Sequence, residues 1–237
     1  MENQPFSLSI RNISKTYPGG RSANGVKAFS NINLTIPAGM YGLLGSNGAG
    51  KSTLMHTLAT LQEPDAGSIN LGVLDVLNQK EEVRQTHGYL PQEPTASLDP
   101  AERVRFLNLL SELSENSLVI LSTHIVEDVA ELCTNIANIN EGKILLEAKP
   151  LQATAALKGK IWRKLIDKNS INQLEQEHKV ISAKLLSGRT LVHVYNPENP
   201  GGGFEPVEPD LEDVYFSTMT GHYIPTHQET KTEEATI

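Results

Sequence analysis

One stretch constrains this chain more than any other: Gly45-Ser46-Asn47-Gly48-Ala49-Gly50-Lys51-Ser52, followed by Thr53. It satisfies G-x-x-x-x-G-K-[ST] at every fixed position. Ahead of it, Met40-Tyr41-Gly42-Leu43-Leu44 is a short apolar run suited to a buried parallel strand. Behind it, Lys51 to Gln62 carries Leu54, Leu58 and Leu61 at helical spacing, so the stretch reads as the turn between a strand and a helix. Glycines let such a loop wrap phosphate oxygens, because a Cβ would obstruct the turn or the anion. Backbone N–H groups and the helix N-terminus then face the negative charge. The pattern predicts a nucleoside-triphosphate site in which Lys51 reaches the β- and γ-phosphates and Ser52 holds Mg²⁺.

A chain of 237 residues is long enough for one large or two small cores. The net charge of -8 gives no general electrostatic reason to bind nucleic acid or anionic lipid. No apolar stretch reaches the length of a membrane span, and the polar N-terminus does not read as a signal peptide, which points to the cytosol. The single cysteine, Cys133, excludes a disulfide framework and is expected to pack in the core.

Leu8 to Tyr17 alternates as a strand and Pro18-Gly19-Gly20 ends it; Ile32 to Ile36 is a second strand, stopped by Pro37-Ala38-Gly39. Tyr17 suits either ordinary packing at a strand end or stacking on a base.

Taken together, Asn12-Ile13-Ser14-Lys15-Thr16-Tyr17 and Gly42 to Leu54 resemble the ATP-binding subunit of an ABC transporter. Further segments follow in the family's order. Glu63 to Ile69 is similar to the segment after the phosphate-loop helix, and Gly88-Tyr89-Leu90-Pro91-Gln92 to the strand ending in the Q-loop glutamine. Pro94 to Pro100 is similar to the D-loop, and Leu121-Ser122-Thr123-His124 to the switch histidine. The resemblance covers roughly residues 7 to 148. It implies an α/β fold, a P-loop NTPase core with a mostly parallel sheet and an N-terminal antiparallel β part. It implies ATP bound through Tyr17, Gly45, Asn47, Gly48, Ala49, Gly50, Lys51, Ser52, Thr53 and Gln92, with Mg²⁺ on Ser52 and Gln92 and His124 at the γ-phosphate. It also implies membrane-spanning transporter subunits as partners, a possible homodimer, and a place at the inner face of a membrane.

The chain departs from that family where only Glu93 separates Gln92 from Pro94. The helical subdomain, the LSGGQ-type signature and the Walker B strand have no counterpart there. Ser187-Gly188 echoes the signature only faintly and reads as a hairpin turn. The junction admits two readings. From the left, Gly88 to Glu93 is the Q-loop strand; from the right, Glu93-Pro94-Thr95 ends a Walker B segment whose acidic position is Gln92. If His87 to Leu90 filled the vacated strand position, Glu93 would stand where the catalytic base sits; otherwise it is a solvated loop carboxylate. Even with Glu93 so placed, Gln92 would be a neutral amide where an aspartate would support the metal.

Asp99, Pro100 and Glu102 fit an N-cap, a first-turn proline and a capping box, a role that competes with coupling two nucleotide sites. The helix they start carries Val104, Phe106, Leu107, Leu110 and Leu113, expected as a core face. Leu118 to Leu121 reads as a buried strand delivering His124 at its C-terminal end, where open α/β sheets place ligand contacts. Ile125 to Cys133 is expected as a helix with Val126, Val129, Ala130 and Cys133 inward, and Asn138 to Ile144 as a hairpin turning at Glu141-Gly142.

From Pro150 a small α+β appendage is expected: a helix near 152–157, a strand at 161–166, a helix at 171–178 and a hairpin with arms at 180–186 and 190–195. Asn196 to Pro209 reads as a linker, Asp210 opens a last helix, and the polar end reads as a disordered tail. The division is 1–148 for the truncated nucleotide-binding domain, 149–221 for the accessory region and 222–237 for the tail. Two functions remain: an ATPase subunit whose hydrolysis and coupling are impaired, or a relic that binds nucleotide without turning it over. A third outcome is a chain left unstable by unpaired strand edges.

Overall fold

The structure, a computed structural model, describes residues 7–19, 25–86, 88–90 and 98–223. The chain divides into two compact units, 1–147 and 148–237.

In the first unit, β1 (Ser7–Tyr17) and β2 (Val26–Pro37) pair antiparallel, with Ile10 opposite Leu34 and Tyr17 opposite Val26. β3 (Gly39–Leu44) leads through the phosphate loop into α1 (Lys51–Leu58). β4 (Ala66–Leu71) and β5 (Leu74–Asp75) complete an antiparallel sheet of order β2-β1-β4-β5. After α2 (Lys80–Thr86) come α3 (Pro100–Ser114), β6 (Leu118–Thr123), α4 (Val126–Leu132), β7 (Asn135–Asn140) and β8 (Lys143–Ala148). The second sheet has the order β6-β3-β7-β8, with β3 parallel to both β6 and β7. This is the expected combination of a parallel core sheet and an antiparallel N-terminal part.

The two faces of β3 explain the layering, because side chains alternate across a strand. Tyr41 and Leu43 join Ile10, Phe29, Leu34, Leu54, Ile69 and Ile139 in one buried cluster that links the two sheets through α1. The opposite face carries Gly42, where an added Cβ would run into Val129 of α4, so α4 lies directly on the strand. Cys133, at the end of α4, is buried, and desolvation followed by the nearby Asp128 pushes its thiol up to about 12, which leaves it inert.

The flank at β6 differs from expectation. α3 packs on β6, β3 and α4, and two of the features anticipated at its start are present: Asp99 caps it by accepting the Glu102 N–H at 2.8 Å, and Pro100 lies in the first turn. Of the five apolar residues expected inside, only Leu107 is buried, while Val104 and Leu113 are 56% and 52% exposed. The reason is that β6 is the last strand of its sheet among the described residues, so nothing there covers the far side of α3. Residues 88–90 form no strand, so the expected Q-loop strand, and its use to fill a vacant strand position, find no support in them; His87 lies outside the described residues. In α4 the residue facing inward is Asp128 rather than Ala130, and Arg103 of α3 pairs with it through Nε at 2.8 Å and through Nη2.

The second unit holds α5 (Pro150–Ala156), β9 (Ile161–Ile166), a short 3₁₀ turn, α6 (Ile171–Glu177), β10 (Lys179–Leu186), β11 (Arg189–Tyr195), β12 (Glu205–Pro206) and α7 (Leu211–Met219). Its sheet runs β10-β11-β9-β12, and Ser187-Gly188 is the hairpin turn between β10 and β11. Residues 196–209 are more than a linker. Phe204 is buried against Trp162 and Leu174, and Glu205 and Pro206 pair with β9. Asp210 and Asp213 form a reciprocal capping box at the start of α7, and Asp213 also meets His193 Nδ1 at 2.7 Å.

Candidate nucleotide site

The phosphate loop sits at the C-terminal edge of the parallel sheet, between β3 and α1. Two of its glycines are required by neighbouring backbone rather than by a ligand. A Cβ on Gly45 would lie 2.5 Å from the Ile139 carbonyl oxygen, and one on Gly50 2.6 Å from that of Ala28. Gly50 also sits at φ +103, the left-handed region where a side chain is strained, and serves as N-cap of α1. Gly48, at φ +81, faces open space. The turn at Glu141-Gly142, between β7 and β8, buttresses the loop: the Gly142 N–H donates to Ala49 O at 3.0 Å and its carbonyl accepts from Ser30 N at 3.0 Å.

Lys51 is almost wholly buried. Its Nζ donates to the carbonyls of Gly45 at 2.7 Å and Ser46 at 3.2 Å, so the ammonium lies inside the curl of the loop. No side chain caps the start of α1, which leaves its opening turn presented to the loop. Ser46, Asn47 and Ser52 are exposed around it, Thr53 is half-buried, and Ala49 is buried beneath. A cation held in the curl of the loop by two backbone carbonyls, with an uncapped helix start behind it, fits a polyphosphate. For Mg²⁺, Ser52 is placed at the helix start, while Gln92 and Glu93 lie outside the described residues.

Tyr17 ends β1 on one side of the same cleft and is 39% exposed. Asp65 fixes that strand end. It accepts the Thr16 N–H at 2.6 Å and Lys15 Nζ at 3.0 Å, while its own N–H donates to Ser14 O at 2.7 Å. The Lys15 ammonium and the Thr16 N–H together hold the Asp65 carboxyl below the usual carboxylate range. His124 follows β6, whose Thr123 is in register with Leu44 of β3, so it emerges exposed at the same sheet edge as the loop. It is not among the residues lining the cleft.

That cleft has a volume of about 760 Å³ and runs from the loop into an apolar chamber walled by Leu58, Val83, Phe106, Leu110 and Ile120. Sequence reasoning anticipated Tyr17 and the loop but not two of their supports, Gly142 and Gln62. The hairpin turn at Gly142 was legible as a turn, though its contact with the loop was not, and nothing local marks Gln62.

A phosphate loop between strand and helix at the C-terminal edge of a parallel sheet defines a nucleotide-binding α/β protein. The comparisons narrow the class. Residues 29–118 match the family model described as ABC transporter. The chain is 24% identical to the methionine import ATP-binding protein MetN of Protochlamydia amoebophila, over 62% of this chain and 67% of that protein. It is 46% identical to the daunorubicin/doxorubicin resistance ATP-binding protein DrrA of Streptomyces peucetius, over 36% of this chain and 24% of that one. Relatives above 40% identity are spanned over only 20% to 24% of their length. The fold is similar to that of cbiO1 from Clostridium perfringens, part of the ABC transporter complex cbiONQ, at a TM-score of 0.53 and 17% identity over 73% of this chain and 96% of that one. It is similar also to the ATP-binding cassette MJ0796 in a dimeric post-hydrolysis state, at 0.52 and 16% over 60% and 98%. Over residues 29–118 the chain is therefore similar to the ABC transporter family, and its fold is that of ATP-binding cassettes.

Proposed function

We propose that this chain binds Mg-ATP as an ABC-type ATP-binding subunit and turns it over very slowly or not at all. The observation that carries the reading is the loop itself, with Lys51 Nζ held inside its curl and Gly48 open in front of it. In this reading Gly45 to Thr53 hold the phosphates, Ser52 contacts Mg²⁺, Tyr17 stacks on the adenine and His124 approaches the γ-phosphate. Glu93 is the one candidate base, and Gln92 supplies an amide where the metal needs a charge. The relatives' names place such subunits in methionine import and drug resistance, two substrates so different that neither transfers. Membrane-spanning partners, a homodimer and a position at the inner membrane face belong to the same proposal. Among the described residues no helix is long and apolar enough to cross a membrane.

Slow turnover is favoured by one further observation: β6 ends its sheet, so no described strand beyond it delivers a carboxylate toward the loop. The test pairs ligand-induced stabilisation with phosphate release on one sample. A ligand that binds only the native state stabilises it by about 2.7 kcal/mol at a hundredfold excess over Kd. Stabilisation by Mg-ATP that Lys51→Ala abolishes, with no phosphate release, is expected. Steady turnover dependent on Lys51 overturns the slow-turnover part; stabilisation that ignores Lys51→Ala overturns the site.

A further inference from the structure

Tyr17 is not held by packing alone. Its hydroxyl lies 2.7 Å from Gln62 Oε1 and 3.5 Å from Thr53 Oγ1. The same Gln62 amide donates through Nε2 to Thr53 O at 2.7 Å and to Thr57 Oγ1 at 2.9 Å, and Thr57 Oγ1 in turn donates to Thr53 O at 2.9 Å.

This network fixes its own polarity. A carbonyl oxygen only accepts, so the Gln62 nitrogen must face Thr53 O. The amide oxygen must then face Tyr17, and the phenol must donate to it. A flipped amide would set two oxygens against each other at 2.7 Å. Gln62 therefore reads as a one-way bridge from the third residue past the loop's Gly50 to the tip of an aromatic ring at the end of β1.

We propose that Gln62 is a positioning residue for the nucleobase: by tying Tyr17 to α1, it fixes the separation between the aromatic platform and the phosphate loop. The inference rests on the nucleotide-binding reading above and deepens it. Phosphates anchor on the loop and the opening of α1, and the base anchors on Tyr17, so the ligand spans two elements joined here by the short Gln62 bond, with the Tyr17–Thr53 contact longer at 3.5 Å. The Asp65 latch holds the backbone of β1 at Thr16, but it leaves the Tyr17 ring free to swing about its own χ angles. Gln62 removes that freedom before the ligand arrives, and preorganisation of this kind lowers the ordering cost of binding. The bridge should matter for ligands that carry a base and be invisible to those that do not.

The test is calorimetric titration of the full chain with Mg-ATP and, separately, with Mg-tripolyphosphate, which has no base. Gln62→Ala and Tyr17→Phe each delete the same hydrogen bond from opposite ends, and each is expected to weaken Mg-ATP about 3- to 10-fold, the net worth of one hydrogen bond. Tripolyphosphate affinity is expected unchanged in both, which also shows that the loop has folded. The double variant should bind no more weakly than the weaker single one. Gln62→Glu keeps an acceptor toward Tyr17 but opposes Thr53 O with a second oxygen, so it should behave like the alanine variant. Unchanged Mg-ATP affinity, equal losses for the two ligands, or losses that multiply in the double variant each overturn the role. If the unsubstituted chain binds neither ligand, or Lys51→Ala binds both normally, the nucleotide reading itself fails and takes this inference with it.

Discussion

The two sides of β3 contain similar residues and bury them very differently. Toward β7 the phosphate loop is backed by the hairpin turn at Gly142, and the strand closes through α1 against the antiparallel sheet; Ile10, Phe29, Leu54 and Ile69 are at most 1% exposed. Toward β6 the sheet stops. Leu118, Val119 and Ile120 are only half-buried, and the helix laid against them leaves Val104, Leu109 and Leu113 in solvent. Residue type does not account for the difference, since leucine and isoleucine dominate on both sides. What differs is the number of layers: one flank has a second sheet to close against, the other has an open cleft. Burial is a property of what the neighbouring element supplies, and the phosphate loop belongs to the well-supplied side.

That contrast predicts unequal penalties for the same substitution. Leu54→Ala opens a cavity in the closed cluster and should cost about 3 kcal/mol. Leu113→Ala, on a side chain already half in water, should change stability by less than about 0.5 kcal/mol. The protein's one tryptophan, Trp162, lies in the second unit, so its fluorescence reports that unit's unfolding. Hydrogen exchange of peptides from 7–19 and 66–71 is the measurement suited to the first. Similar costs for Leu54 and Leu113 would erase the distinction between the flanks.

The open flank nevertheless has one strong tie. Asp128 is fully buried in α4 and is met by Arg103 from α3, which also raises the guanidinium's proton affinity. Removing the cation leaves a buried carboxylate with diminished compensation; because the Arg103 side chain is 36% exposed, the cost should fall below the roughly 3 kcal/mol of a fully buried pair. Arg103→Met keeps the aliphatic stem and should release α3 first, seen as faster exchange across 100–114 than across 51–58. If exchange accelerates equally in both helices, the pair supports the whole unit rather than this flank.

The closed flank was also the legible one. Strand alternation at 8–17 and the apolar run at 40–44 are short-range signals, and the fold satisfies them with partners on every side. On α3 the same helical periodicity marks an apolar stripe that is real, yet periodicity carries no information on whether another layer will cover it. Asp128 was passed over because an aspartate on a helix ordinarily faces water, and its ion partner from α3 lies far off in sequence. The stretch 196–209 looked like a linker from its prolines and glycines, which hid Phe204 and the two-residue strand beside β9. Gln62 was invisible for a further reason: its meaning lies in contact with a residue 45 positions away.

A weaker effect tests the closed flank for a flaw. Asn138 sits on β7 in register with Leu44, wholly buried, with neither its amide oxygen nor its nitrogen hydrogen-bonded among the described residues. Its row on the strand, shared with Ile136, faces away from the cluster that includes Ala137 and Ile139. Desolvating an amide without compensation costs about 1–3 kcal/mol, so Asn138→Val should stabilise the first unit by about 1 kcal/mol after repacking. Slower exchange in the 135–140 peptides is the expected sign. Destabilisation would mean that the amide has a bound water or ligand as partner, and would move attention to that side of the sheet.

A further small effect is expected at the end of α1, close to the bridge between Tyr17 and the loop. Thr60 adopts φ +59, a left-handed conformation unusual for a β-branched residue, just past the helix C-cap Ala59. Leu61 N–H reaches back to His56 O at 2.9 Å and Thr60 N–H to Thr57 O at 3.2 Å, the closure that glycine ordinarily provides. Arg84 of α2 compensates, donating through Nη2 to Thr60 O at 3.1 Å and through Nε to its hydroxyl at 2.8 Å. Thr60→Gly would relieve roughly 1–2 kcal/mol of backbone strain but forfeit the hydroxyl bond and gain chain entropy in the unfolded state. The expected net is a stabilisation of about 0.5 kcal/mol, with α1 and the Gln62 position unchanged because Arg84 still holds the carbonyl. Thr60→Ala separates the contributions: it keeps most of the strain and loses the hydroxyl, so it should fall below both the glycine variant and the natural residue. If alanine instead matched glycine, the left-handed turn would carry no measurable strain, and the rigidity of the platform would rest on Gln62 and Asp65 alone.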